Sequence, residues 1–275
     1  DIAYAIDNGI GYFVADNIEE LKAIEAYASE KGIIQNVLLR LTPGIDPHTY
    51  EAISTGKVDS KFGTAIETGQ AREIVEYTLG LESVKLAGFH CHIGSQVFDS
   101  DTFFAASEIM LDFIADMKNE FGFSAEQLNL GGGYGVRYTE DDPIIDIAEN
   151  IKTVSEHIKK KCAERNIDIP KILMEPGRSI AADAGMTLYT VGTVKKITGY
   201  KNYVSIDGGM TDNPRYALYK SKYTLFLANR ANETADFKCS VVGRCCESGD
   251  IIQENVLLPE PKRGDIAAVA TTGAY

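Results

Sequence analysis

The sequence predicts an α/β fold: an incomplete (β/α)8 barrel of the TIM type, about five of its eight βα units, followed by a partial C-terminal all-β domain. Three observations predict it. Short apolar runs alternate with amphipathic stretches from residue 12 to about residue 178. The runs are mostly apolar rather than alternating, as strands of a parallel sheet covered on both faces are. Residues able to do chemistry gather where the runs end, at Arg40, His90 to Ser95, Gly131 to Gly135 and Glu175 to Arg178. A barrel builds its site from the C-terminal ends of several strands, whereas a doubly wound sheet concentrates it at one switch point.

Taken in order, residues 12–16 form the first strand. Asn17 with Glu20 three residues on has the form of a capped helix start, and the amphipathic stretch ends at Gly32. Residues 36–41 are the next strand, and a looser segment leads to a helix near 65–79. Residues 84–94 are a strand running into a loop, with a helix over 101–120. Residues 127–135 repeat strand-then-glycines, with a helix over roughly 143–165. Residues 171–178 are a fifth strand, stopped by Pro176-Gly177. Past about residue 185 the helical period fades, and 188–197, 202–210, 237–252 and 263–273 read as short strands with turns. The expected division is a barrel part over 1–184 and a β domain over 185–275.

Composition removes several function classes. The chain has 275 residues, and 27 Lys and Arg against 40 Asp and Glu leave a formal charge of −13. Such a surface repels nucleic acid and anionic lipid, so neither is an expected partner. No apolar run approaches the ~20 residues that span a bilayer. The start, DIAYAIDNGIGYF, lacks the basic-then-apolar pattern of a signal peptide. Five scattered cysteines argue against a disulfide framework. A cytoplasmic protein is expected.

Each constellation has a plain alternative. Gly131-Gly132-Gly133 at a strand end can expose successive backbone N–H groups to a phosphate, or simply make a tight βα turn. It fails the dinucleotide fingerprint, because position 136 is Val. Glu175 and Arg178 suit a site or a local ion pair. His90 and His92 are ligand types aimed to one side by strand alternation. They read as zinc ligands, as core histidines, or as a face for a planar ligand; no further cluster has metal spacing, and no metal is expected. Arg215 is suited to a carboxylate. The vicinal Cys245 and Cys246 read as free thiols beside Glu247 and Asp250.

Together these pieces resemble one family. His92-Ile93-Gly94-Ser95-Gln96, Gly131-Gly132-Gly133, Glu175-Pro176-Gly177-Arg178, Asp207-Gly208-Gly209-Met210, Asp212-Asn213-Pro214-Arg215, Cys246-Glu247-Ser248-Gly249-Asp250 and Gly273-Ala274-Tyr275 occur in this order. The order is that of the fold-type III pyridoxal-phosphate decarboxylases, most closely those acting on diaminopimelate. The resemblance implies pyridoxal 5'-phosphate as cofactor and decarboxylation of meso-2,6-diaminopimelate to L-lysine. It implies that His92 stacks on the ring, Arg40 faces its phenolic oxygen and Glu175 pairs with the ring nitrogen. Ser95, Gly131, Gly132, Gly133 and Gly177 would hold the phosphate, with Tyr275 closing over it. Arg178, Arg215 and Tyr219 would take the distal carboxylate of the amino-acid substrate, Glu247 its distal amine, and Cys246 would donate the proton. The resemblance also implies a homodimer with shared active sites.

Two departures go with it. The family's Schiff-base lysine ends the first barrel strand, three βα units before Tyr12, and no lysine of this chain fits that place. The chain is therefore expected to be truncated at both ends and inactive alone. Tyr216 stands where the family usually has proline. The alternatives are a decarboxylase of another basic amino acid (ornithine, arginine or carboxynorspermidine type) and a non-catalytic homologue of the same fold. Cys-Glu-Ser-Gly-Asp, rather than Cys-Asp-Gly, favours diaminopimelate over ornithine.

Overall fold

The apolar runs do form a parallel sheet. The computed structural model describes residues 1–45 and 60–275. These fall into two compact units, residues 1–135 with 145–176, and residues 136–144 with 177–275.

The first unit contains α1 (Ile2–Asp7), β1 (Phe13–Ala15), α2 (Ile18–Lys31), β2 (Gln35–Thr42), β3 (Thr64–Ala65), α3 (Gln70–Leu79) and β4 (Val84–His90). It continues with α4 (Ser100–Phe121), β5 (Gln127–Asn129), α5 (Ile147–Glu164) and β6 (Lys171–Leu173). Strands β1, β2, β4, β5 and β6 lie side by side in that order, every pair parallel. The two residues of β3 pair with the end of β2. Spatial order equals chain order, so each crossover steps the same way, and there is no reversal of the doubly wound kind. This is the winding of a barrel wall.

Local chemistry sets the helix ends. Asn17 Oδ1 accepts the Glu20 N–H at 3.0 Å, and Gly32 closes α2 in the left-handed region at φ 66°. Asp99 caps α4 by accepting the Thr102 N–H at 2.8 Å, and Asp146 caps α5 by accepting from Glu149 at 3.0 Å. The cap at Asp146 starts α5 at residue 147, later than the expected 143. The strands over 84–94, 127–135 and 171–178 are also shorter than expected. Their ladders end where β5 does, at Asn129, and irregular loops follow. Leu21 and Ile24 of α2, Ile74 of α3, Met110 and Leu111 of α4 and Ile158 of α5 pack with Val37, Leu39, Phe89 and Leu128 of the sheet. Full burial of each large aliphatic side chain stabilises the unit by about 1.5–3 kcal/mol.

The second unit contains α6 (Gly177–Ala181), β7 (Met186–Ile197), β8 (Lys201–Ile206), α7 (Arg215–Tyr219), β9 (Leu225–Leu227), β10 (Phe237–Val242), β11 (Ile251–Leu258) and β12 (Ile266–Ala270). Its sheet has the order β11-β10-β8-β7-β12-β9. Only β10 and β8 are parallel. The expectation of uniformly short strands is corrected by β7, twelve residues long. Its first part pairs with β12 and its second with β8, with a register shift between Val191 and Val194. Residues 136–144 are tied into this unit because the Tyr138 carbonyl accepts both the N–H (3.0 Å) and the hydroxyl (2.8 Å) of Thr224. Among the described residues no helix is long and apolar enough to cross a membrane.

Candidate active site

In the first unit the functional side chains follow the strand ends. Glu175 lies two residues past β6. Its Oε1 accepts from Asn129 Nδ2 at 2.9 Å and sits 3.2 Å from His90 Nε2. Both contacts fall on Oε1, and among the described residues Oε2 is left for another donor. The bond from His90 holds the Glu175 carboxyl well below the usual carboxylate range, at about 2, with Asn129 adding to it and burial opposing. Glu175 is therefore ionised throughout the neutral range.

His92 lies two residues past β4. Burial pushes its pKa down to about 4, and the charges of Arg40 and His90 act in the same direction. The ring is neutral at pH 7. The Gly132 N–H donates to His92 Nδ1 at 3.3 Å, which assigns the ring proton to Nε2. Arg40 occupies the sixth position of β2. Its guanidinium lies 4.5 Å from the centroid of the Phe62 ring, and its Nε is 3.9 Å from Asp16 Oδ1. Arg40, His90, His92 and Glu175 thus act on one another through space.

The glycine loop is built for close approach. A Cβ on Gly132 would lie 2.1 Å from the Glu175 carbonyl oxygen, and one on Gly133 would lie 2.3 Å from that of Gly94. Gly131 has φ 68°, and its N–H donates to Asn129 Oδ1 at 2.8 Å. The amides of Gly131 and Gly132 therefore serve the chain itself. Ser95, part-buried, lies in the loop between β4 and α4. Val97 in the same loop donates to the Gly133 carbonyl at 2.9 Å, so this loop and the glycine loop are one assembly.

In the second unit Arg178, in α6, and Arg215, at the start of α7, are both buried. The guanidinium of Arg215 lies 3.8 Å from the centroid of the Tyr138 ring, and that of Arg178 lies 4.3 Å from the centroid of the exposed Tyr275. Tyr219 ends α7 and is part-buried, and Gly177 opens α6 on the surface. Tyr216 takes its place in α7 with its hydroxyl donating to Glu254 at 3.0 Å. Cys246 and Glu247 are exposed on a separate loop over 243–250. Asp250, buried at the end of that loop, accepts the Met210 N–H at 2.6 Å and the Cys245 N–H at 2.7 Å.

The structure brings Arg40, His92, Ser95, Gly131 to Gly133 and Glu175 together in the first unit, and in the second sets Arg178 and Arg215 against Tyr138, with Tyr275 against Arg178. Sequence reasoning missed Asn129 and Tyr138, named Asp250 only as a carboxylate beside the thiols, and gave His90 no single role. Asn129 had a faint signal, an amide closing a short buried strand just before a glycine run. Tyr138 had none, since the partners of its side chain, Arg178, Arg215 and Tyr223, lie 40 and more residues away.

These features can be set beside known proteins. The family described as "Pyridoxal-dependent decarboxylase, pyridoxal binding domain" matches residues 1–182. The chain is 44% identical over 275 residues to the diaminopimelate decarboxylase of Bacillus subtilis (strain 168), covering all of this chain and 63% of that protein. It is 46% identical to that of Staphylococcus aureus (strain COL), again over the whole chain and 64% of the relative. The crystal structure of the M. jannaschii diaminopimelate decarboxylase in complex with L-lysine is similar at TM-score 0.86 and 34% identity, over 100% of this chain and 62% of that one. The chain thus spans somewhat less than two thirds of the relatives it matches. On the match over residues 1–182, the chain belongs to the pyridoxal-dependent decarboxylase family.

Proposed function

We propose that the protein releases carbon dioxide from meso-2,6-diaminopimelate to give L-lysine, using pyridoxal 5'-phosphate. The observation that carries the reading is Glu175, a carboxylate held ionised by His90 and Asn129 through one oxygen, with the other left to receive a donor. This donor set fits a protonated pyridine nitrogen. Beside it, the neutral His92 offers an uncharged ring face, and Arg40 offers a cation for a ring oxygen. The names of the relatives, and the L-lysine bound by one of them, support the substrate.

Bound pyridoxal phosphate supplies an electron sink for the pair left behind by carbon dioxide. The chain's own groups do the rest. Glu175 keeps a proton at the ring nitrogen, and His92 packs on the ring. Ser95 and the Gly131–Gly133 loop would border the phosphate, the loop by the close approach its glycines allow rather than by the Gly131 and Gly132 amides, which are turned to Asn129 and His92. In the second unit Arg178, Arg215 and Tyr219 bind the distal carboxylate and Glu247 the distal amine. Cys246 delivers a proton to the carbon that has lost its carboxylate. A homodimer is part of the same proposal.

The test is carbon dioxide release by the full-length protein, loaded with pyridoxal phosphate, from meso-diaminopimelate, L-ornithine and L-arginine. Preference for diaminopimelate by at least about tenfold in kcat/KM is expected. Faster turnover of ornithine or arginine overturns the substrate, and no turnover of any of them overturns the reading. Mass in solution tests the dimer.

A further inference from the structure

Tyr138 touches both buried guanidinia of the second unit at once. Its hydroxyl accepts a hydrogen bond from Arg178 Nη1, and its ring face carries Arg215 at 3.8 Å from the centroid. Tyr223 stands edge-on to it, with centroids 5.3 Å apart and planes at 81°, and forms a second wall 5.0 Å from the Arg215 guanidinium. The main chain of Tyr138 is anchored on both sides. Its carbonyl accepts twice from Thr224, and its N–H donates to Asp142 Oδ2 at 2.9 Å.

Two like charges on one ring cost free energy in a chain that has carboxylates to spare, and yet none pairs with Arg215 among the described residues. Arg215 is 7% exposed, and its Nη1 has no hydrogen-bond partner among the described residues. A buried donor without an acceptor is costly. A planar cation stacked on one tyrosine, with an unused N–H, is the arrangement that awaits a carboxylate oxygen.

We infer that Tyr138 is a positioning residue that fixes the Arg178 and Arg215 guanidinia as a pair, and so sets the preference for ligands bearing a carboxylate at the distal end. The inference rests on the proposed decarboxylase reading, whose arginine roles it deepens.

The experiment uses the full-length holoenzyme, its Tyr138→Phe and its Tyr138→Leu variants. Dissociation constants are measured for L-lysine, which keeps the distal carboxylate, and for 1,5-diaminopentane, which lacks it. Removing the hydroxyl leaves the Arg178 bond unmade and should weaken L-lysine by about tenfold or more. Binding of the diamine should change by less than about twofold. For meso-diaminopimelate KM should rise by a similar factor while kcat changes much less. Tyr138→Leu, which also removes the ring under Arg215, should lose more of the preference. Thermal midpoints of all three proteins separate this from unfolding. Equal weakening of both ligands, or an unchanged preference in either folded variant, overturns the inference. If the wild type fails to decarboxylate diaminopimelate, the functional reading itself has failed, and the inference with it.

Discussion

The carboxylate of Asp250 accepts the backbone N–H of Met210 at 2.6 Å, across forty residues of chain. Its other oxygen accepts the N–H of Cys245 at 2.7 Å. Asp250 is 3% exposed, and a Cβ on Gly243 or Gly209 would lie 2.3 Å or 2.7 Å from its carboxylate oxygens. One buried side chain therefore fastens the segment that leads to Arg215 to the loop that carries Cys246 and Glu247, and two glycines make room for it.

Asp250→Ala should leave both amides without their acceptor and cost about 2–4 kcal/mol, since hydrogen bonds to a charged group contribute more than neutral ones. Urea unfolding should show the midpoint fall at an unchanged slope. With the loop loosened, alkylation of the exposed Cys246 should change rate, while alkylation of the buried Cys91, Cys162 and Cys239 should not. A midpoint within about 0.5 kcal/mol of wild type would show that the clamp contributes little.

Cys246 makes a separate prediction, because it is exposed and its loss leaves no cavity. Cys246→Ala in the full-length protein should leave the unfolding midpoint unchanged and lower turnover ~10²–10⁴-fold, the range of a positioned proton donor. That corresponds to about 3–5 kcal/mol of transition-state stabilisation. Turnover equal to wild type removes Cys246 from the proton transfer. Cys246→Asp, which restores an ionisable group, should recover part of the rate with an altered pH profile.

Glu175 can be probed by two substitutions that differ in what they leave behind. Glu175→Gln keeps an amide oxygen for His90 and Asn129 but not the charge, so at neutral pH stability should fall, and by less than in Glu175→Ala. It removes the charge proposed to hold the ring nitrogen protonated, so turnover should fall at least about 10²-fold. Glu175→Ala removes the acceptor of His90, whose Nδ1 is already without a partner, and should cost about 1–3 kcal/mol besides the activity. Equal activity for the Gln variant and wild type would exclude the ionised carboxylate as a requirement.

What the sequence made legible was local. Asn17, Glu20 and Gly32 mark the two ends of α2 within fifteen residues, and the structure uses them so. The strands were legible because β2, β4 and β5 are buried on nearly every residue, which leaves short, mostly apolar runs in the chain. The positions of Arg40, His92, Gly131 and Glu175 followed from where such runs stop. What was hidden depends on contacts between distant segments. Nothing near Tyr138 announces that residues 136–144 join the second unit, because the bonds that hold them there come from Thr224. The glycine run suggested open amides. The structure turns those of Gly131 and Gly132 to Asn129 and His92, and gives glycine a steric reason that depends on Gly94 and Glu175.

His92 links this geometry to pH. Burial lowers its pKa from 6.5 to about 4 in the folded chain, so between those values the unfolded chain binds a proton that the folded chain refuses. Stability must therefore fall as pH drops from 6.5 toward 4, and this contribution levels off below. The full linkage of such a shift is no more than about 3.5 kcal/mol. Glu175 adds a loss of the same sign in a lower window, because its folded pKa of about 2 lies under its ordinary 4.5. Its stabilisation is complete above 4.5 and disappears as pH falls through 2. The two windows separate the two groups. His92→Gln, which cannot titrate, should flatten the thermal midpoint between pH 4 and 6.5 and leave the steeper decline below pH 4.5 in place. Glu175→Gln should do the reverse. If His92→Gln keeps the wild-type slope between pH 5 and 6.5, the imidazole is not buried in its neutral form, and the uncharged ring face assigned to the cofactor is lost with it.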